Sequence, residues 1–354
     1  MTLNPCTFSF PLSLQELGWN PFFQQQLSLD DYNETHLGRI IAHHRSGYIV
    51  ITESQELHLE HHNRFPTMTV GDWILLDTNY HFKRVLERKS VFARKAPGSQ
   101  IKEQLISANI DTVFIVCSLN KDFNLSRIER YLTLVNDSES EAVIVLTKVD
   151  LCEDSEEKRK QVQSLNPFLM IEMVNALDSN STAPLLSWCT TGKTIAFMGS
   201  SGVGKSTLVN QFLNQNIQVT QSIREDDSKG RHTTTARSLY KMNHGGLLLD
   251  TPGMRELQLA GSEEGVTETF SDIVTLTKLC RFSDCQHTNE PGCAIQRALK
   301  SENLDERRFN NYQKIRREQL RNSASLAEKR SKDKEFGKFI NTVQAASRKQ
   351  KKGY

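Results

Sequence analysis

The sequence predicts an α/β domain built on a parallel sheet, with a small β-barrel before it and a mostly helical segment after it. Three observations carry this expectation. Residues 36–95 hold short stretches of apolar–polar alternation broken by turn residues, the pattern of strands with one wet face. From about residue 110 to 253, short continuous apolar runs alternate with stretches of helical spacing, the pattern of a parallel sheet covered on both faces. Beyond about residue 261 the chain is polar, charged and helix-prone.

A chain of 354 residues is too long for one ordinary core, so two or three domains are expected. The composition shifts divide it into an N-terminal extension (1–35), a barrel (36–95), an α/β domain (96–260), a helical domain (261–345) and a basic disordered tail (346–354). Hydrophobic content of 37% and charged content of 24% fit a soluble globular protein. No apolar run approaches the roughly 20 residues that cross a bilayer. The start, MTLNPCTFSFPLSLQELGW, lacks the basic lead and compact apolar stretch of a secretory signal. A cytoplasmic monomer with no membrane partner is expected.

The net charge of +2 is unevenly placed. Residues 307–354 carry 15 Lys and Arg against 4 Asp and Glu, or +11, which leaves −9 for the rest. An acidic body with a basic tail points to a polyanionic partner; a solvated helical tail that binds nothing is the plainer alternative. Seven cysteines form no even framework of regular spacings, which argues against disulfides. Cys280, Cys285 and Cys293 sit close together, whereas Cys6, Cys117, Cys152 and Cys189 are scattered.

Residues 1–35 show no assignable pattern. The runs LGRIIAHH, GYIVITES, ELHLEHH, DWILLD and FKRVLERKSVF then read as strands of a small antiparallel barrel. An OB-type barrel suits this size, and such barrels often bind RNA; a purely structural β-domain is the alternative. RKAPGSQ (94–100) reads as a linker. Strands are expected in DTVFIVCSL (111–119), EAVIVLTKVD (141–150), LMIEMVNAL (169–177), KTIAFMGS (193–200) and GGLLLDTPG (245–253), with a helix in LSRIERYLTLV (125–135).

GSSGVGKST (199–207) is the most specific motif. Gly199, Gly204, Lys205 and Ser206 complete G-x-x-x-x-G-K-[ST], so backbone N–H groups from Gly199 through Ser200, Ser201, Gly202, Val203 and Gly204 to Thr207 are predicted to cradle phosphates. Lys205 would reach the β- and γ-phosphates, and Ser206 would ligate Mg²⁺. An apolar strand precedes the loop, and an amphipathic helix follows it with its N-terminus towards the phosphates.

DTPG (250–253) follows another strand. Asp250 can hold the water shell of Mg²⁺, and the Gly253 N–H can sense a γ-phosphate. In KGRHTTT (229–235), Thr234 is favoured over Thr233 and Thr235 to close over Mg²⁺. TKVD (147–150) identifies the base: Asp150 can accept two hydrogen bonds from guanine, and adenine offers no such donor pair. The Lys148 stem can lie over the ring. Thr147 and Val149 complete this element, and the Ala176 N–H could donate to guanine O6. These stretches are expected at the C-terminal ends of parallel strands, where ligands of open α/β sheets bind. The base-reading element, however, precedes the phosphate loop. The order is that of a circularly permuted P-loop GTPase.

With this order, the barrel-like lead and the cluster CRFSDCQHTNEPGC, the sequence resembles the bacterial RsgA family of small-ribosomal-subunit biogenesis GTPases over nearly its whole length. The resemblance implies an OB-fold, a permuted GTPase domain and a zinc domain. It implies binding to the small ribosomal subunit and its rRNA late in assembly, and release on GTP hydrolysis stimulated by that particle. Thr147 stands where the family usually carries Asn, which loses a bridging amide.

Many GTPases place a glutamine after DxxG to orient the attacking water, but Met254 occupies that position. His232, beside the switch threonines, is the catalytic candidate; contact with rRNA or loop positioning are its alternatives. Cys280, Cys285, His287 and Cys293 offer a Cys₃His set, the composition of a closed structural zinc site. From spacing alone, unrelated cysteines stay open; the resemblance favours one structural Zn²⁺. The expected enzyme hydrolyses GTP to GDP and phosphate with Mg²⁺. An RNA-binding scaffold with a vestigial nucleotide site, and a permuted GTPase serving another RNA, are the other readings.

Overall fold

The alternation in residues 36–95 resolves into five antiparallel strands: β1 (Thr35–His43), β2 (Gly47–Ile51), β3 (Glu56–Glu60), β4 (Trp73–Asp77) and β5 (Phe82–Val85). The computed structural model describes residues 8–95, 103–213, 237–250 and 263–323. The five strands pair in the order β3-β2-β1-β4-β5. Ile40, Tyr48, Val50, Met68, Ile74 and Leu76 form one buried cluster, with Leu57, Leu59, Phe65, Phe82 and Val85 against it. The sheet therefore curls around its own apolar face. Among the described residues no ladder joins β3 to β5, so these pairings by themselves form a curled antiparallel sheet and do not close the expected OB-type barrel.

Residues 8–34 of the N-terminal extension pack against the curled sheet and the domain that follows. Asn20 caps the short helix α1 (Pro21–Gln24), and a Ser28–Asp31 capping box starts α2 (Leu29–Glu34). Trp19 and Phe23 pack on Trp73 of β4, with ring centroids 5.0 and 5.8 Å away. Beneath them lies Arg39 of β1, only 1% exposed. It donates to the carbonyls of Leu17, Gly71 and Asn109 and to Thr194 Oγ1. One side chain thus ties the extension, the curled sheet and the next domain together. Gly18 is constrained by that approach: its φ is +90°, and a Cβ there would sit 2.6 Å from Arg39 Nη1.

A separate two-stranded hairpin, β6 (Val91–Lys95) and β7 (Glu103–Ala108), leads onward. The α/β domain then follows as β8 (Thr112–Ser118), α3 (Leu125–Asp137), β9 (Glu141–Thr147), α4 (Ser155–Gln163), β10 (Met170–Val174), α5 (Ser179–Thr182), β11 (Thr194–Met198), α6 (Lys205–Leu213), β12 (Arg237–Lys241) and β13 (Leu247–Asp250). The strands β10-β9-β8-β11-β13 are parallel. Antiparallel β12 follows β13, and its Ser238 pairs with Ala42 of β1. The curled sheet and the parallel sheet are therefore one continuous ladder.

The continuous apolar runs are explained by burial on both faces. Phe114, Val116, Val143, Val145, Ile195 and Leu248 pack against Leu208, Val209 and Phe212 of α6. Their neighbours Val113, Ile115, Ile144, Leu146 and Met198 share a cluster with Ile128, Leu132 and Val135 of α3 and Val162 of α4.

The C-terminal part contains α7 (Glu264–Thr269), α8 (Ser271–Thr277), α9 (Ala294–Lys300) and α10 (Glu306–Ser323). It docks on α3. Gly265 of α7 approaches so closely that a Cβ would lie 2.3 Å from the Thr133 carbonyl. Glu129 of α3 is fully buried, yet it accepts from Arg307, Arg308 and Asn311 of α10. A buried carboxylate persists only when its lone pairs are met in this way. Arg130 and Glu318 add a bidentate pair at 2.6 and 2.7 Å. Among the described residues no helix is long and apolar enough to cross a membrane.

Candidate functional site

The phosphate-loop residues sit between β11 and α6. Gly199 turns the chain with φ +151°, and a Cβ there would lie 2.3 Å from the Val116 carbonyl, so only glycine fits. Gly204, with φ +101°, hands the loop to α6. Lys205 opens that helix and is 8% exposed; its Nζ donates to the Gly199 carbonyl at 2.8 Å and to the Ser200 carbonyl. The lysine is thus folded back under its own loop, and Ser206 and Thr207 occupy the first turn of α6. The first turn of a helix leaves N–H groups without intrahelical partners, an arrangement suited to an anion.

The residues expected to read the base converge on the same loop. Ser118, Thr147 and Val174 are aligned across β8, β9 and β10, so the segments that follow them emerge side by side. The Thr147 hydroxyl donates to the Val203 carbonyl at 2.6 Å. Thr147 lacks the amide of the Asn usual in the family, and its hydroxyl makes a bridge from β9 to the phosphate loop instead. Lys148 has left-handed backbone, φ +60°, and its Nζ donates to the Gly202 carbonyl at 2.9 Å. Val149 and Asp150 lie in the turn that follows, with Asp150 exposed. Ala176 comes after β10, and a Cβ on Gly204 would lie 3.7 Å from both Ala176 Cβ and Thr147 Oγ1. Asp250 ends β13, the other parallel neighbour of β11.

Thr147, Lys148, Ala176 and residues 199–207 are thus brought together at the C-terminal edge of one parallel sheet. His232, Thr233, Thr234, Thr235, Gly253, Met254 and the tail 346–354 lie outside the described residues.

Two side chains linked to the phosphate loop carry no motif and were not singled out from sequence. Arg127, in the first turn of α3, donates through Nη1 to Ser200 Oγ and to Asp122 Oδ1, both at 2.6 Å. Its bond to Asp122 raises the guanidinium pKa above the ordinary arginine value. Their only sequence signal is position: both follow the end of a parallel strand.

The second site lies between α8 and α9. The donor atoms of Cys280, Cys285, His287 and Cys293 all lie within 4.8 Å of one another. Cys280 Sγ and Cys293 Sγ are 4.0 Å apart, and His287 Nδ1 is 3.6 Å from each. A tetrahedral ion about 2.3 Å from sulfur has sulfur–sulfur edges of about 3.8 Å, so the donors fit one metal ion. Burial lowers the His287 pKa, the sense that keeps the imidazole neutral and able to ligate. Gln296 Nε2 holds the His287 carbonyl at 2.7 Å. Cys117, Cys152 and Cys189 take no part in this group.

Comparison with known proteins agrees with this geometry. The sequence profile of the RsgA GTPase family matches residues 85–260. The chain is 58% identical to the small ribosomal subunit biogenesis GTPase RsgA 2 of Vibrio parahaemolyticus, over 96% of this chain and 95% of that protein. It is 43% identical to the small ribosomal subunit biogenesis GTPase RsgA of Mesorhizobium japonicum, over 88% and 91%. The fold matches the crystal structure of YjeQ from Thermotoga maritima with a TM-score of 0.61 and 26% identity, covering 81% of this chain and 99% of that one. It also matches YloQ, described as a circularly permuted GTPase, with a TM-score of 0.59 and 23% identity, covering 82% and 97%.

Proposed function

The chain belongs to the RsgA GTPase family and hydrolyses GTP, and we propose that it does so as an assembly factor of the small ribosomal subunit. The relatives are named for biogenesis of that particle. The observation that carries the GTPase reading on this chain is the convergence of Thr147, Lys148 and Ala176 on the loop 199–207. That contact brings the base-reading and phosphate-binding halves of a site together despite their inverted order.

In this reading Asp150 accepts the paired donors of guanine, the Lys148 stem covers the ring, and Ala176 offers its N–H to O6. The amides of residues 199–207 and Lys205 hold the phosphates. Ser206 and Thr234 are the protein ligands for Mg²⁺, with Asp250 holding its water shell and Gly253 reading the γ-phosphate. Mg²⁺ supplies charge neutralisation on the phosphates; this chain's residues supply positioning and a preformed cradle. The Cys₃His group is a structural Zn²⁺ site. The curled N-terminal sheet is an OB-type RNA-binding domain, and the basic tail supplies further phosphate contacts. Together they support a cytoplasmic checkpoint factor that leaves the particle once GTP is hydrolysed.

The deciding measurement is GTP turnover with and without small subunits. Turnover is expected to rise at least about 10-fold with the particle, as seen when a partner completes a GTPase site. Equal stimulation by large subunits or free tRNA would defeat the assignment of the partner. His232→Ala is expected to keep GTP affinity but lose the particle-stimulated increment. Unchanged stimulated turnover removes His232 from the mechanism.

A further inference from the structure

We propose that Arg127, held by Asp122, is a positioning residue for GTP hydrolysis that sets the phosphate loop through the Ser200 hydroxyl. Ser200 is gripped twice by cations. Lys205 Nζ takes its carbonyl, and Arg127 Nη1 takes its hydroxyl at 2.6 Å. The other loop contacts run to the base-reading side: Thr147 to Val203, and Lys148 to Gly202. Arg127 is thus the tie on the side of α3, and its own charge has a fixed partner. Asp122 Oδ1 accepts from the same Nη1 at 2.6 Å.

The guanidinium is also held by a rigid helix. Asn124 caps α3 through the Arg127 N–H at 2.9 Å. Ser126 and Glu129, on either side of Arg127 in the chain, are bonded to Asn311 of α10. The backbone that carries Arg127 is therefore anchored, and Asp122 fixes the guanidinium at its far end. Phosphoryl transfer depends on positioning to within a fraction of an ångström, so a tie of this kind acts on the rate more than on the affinity for the nucleotide. The side chain is about one-third exposed, at 36%, which leaves it replaceable without a cavity in the core.

The test uses the full-length zinc-loaded chain with Arg127→Gln, Arg127→Lys, Ser200→Ala and the double variant Arg127→Gln/Ser200→Ala. Single-turnover GTP hydrolysis and GDP affinity are measured for each. Arg127→Gln is expected to slow hydrolysis by about 10-fold with GDP affinity within about twofold. Arg127→Lys is expected to recover part of the rate, because an ammonium can still donate to Ser200. Ser200→Ala is expected to reproduce the loss, and the double variant to be no slower than Arg127→Gln. Formation of the GDP–aluminium fluoride complex, which mimics the transition state, is expected to weaken in step with the rate. Additive losses in the double variant, an unchanged rate in Arg127→Gln, or a GDP affinity that falls in proportion to the rate would each overturn the proposal.

Discussion

Stripping the metal from Cys280, Cys285, His287 and Cys293, or replacing Cys293 by serine, is expected to unfold residues 279–304 while α10 stays docked on α3. The segment has little else to hold it. Its buried hydrophobic residues are Cys293, Ala294, Ile295, Ala298 and Leu304, too few to offset the ordering of some 25 residues at about 1–2 kcal/mol each. A structural Zn²⁺ contributes on the order of 10 kcal/mol to such folds. Helix α10 has separate anchors. Phe309, Tyr312 and Ile315 share the main core cluster with Ile295, Ala298 and Leu304, but Arg307, Arg308 and Asn311 also close on Glu129 of α3, to which no described residue of the metal segment is bonded. Hydrogen exchange after chelation should therefore show residues 281–300 unprotected, with α3 and the first two turns of α10 unchanged. Loss of protection in α10 as well would show that the metal holds the whole C-terminal part. One zinc per chain is expected in reduced protein, and its absence would sink the zinc assignment.

Arg39→Ala is expected to destabilise the protein by about 3–5 kcal/mol, the usual cost of removing one member of a buried polar network. The substitution leaves the carbonyls of Leu17, Gly71 and Asn109 without this donor and opens space beside Trp73, over whose ring the guanidinium sits at 5.7 Å. Burial lowers the Arg39 pKa to about 10, against the attraction of Asp111 and Asp72. The sign follows. The folded pKa lies below the unfolded one, so the charge costs stability at neutral pH. That cost is relieved only as pH rises above about 10. Arg39→Met, which fills the space without the charge, should therefore be milder than Arg39→Ala. Urea unfolding at pH 7 measures both. A change below about 1 kcal/mol for Arg39→Ala would show that the three junction carbonyls find other donors.

Much of the candidate site is legible in the sequence. A phosphate loop is a backbone device, and its glycines, lysine and serine are contiguous. The Cys₃His set is legible for a related reason, since its four ligands fall within 14 residues of chain (280–293). The apolar runs in β8, β9, β11 and β13 were readable because strands buried on both faces cannot afford polar residues. The N-terminal extension was missed, although Asn20-Pro21 and Ser28–Asp31 are cap signals. Its packing is by scattered aromatics on a distant strand, which leaves no period. Strand β12 was missed because it forms only as the antiparallel joint between β13 and β1.

The sequence by itself determined the expected chemistry: which residues are proposed to cradle phosphate, read guanine and ligate a metal, and that their order is permuted. Local motifs suffice there, because each depends on neighbours along the chain. Only the tertiary structure decided how the parts are joined. It placed Thr147 and Lys148 on the phosphate loop, bonded Arg127 to Ser200 across 73 residues, buried Glu129 against three side chains of α10, and buried Arg39 among partners from four separate segments. Such contacts pair single side chains over long separations. No spacing or periodicity encodes them, and they come into being only when the sheet has brought its strand ends together.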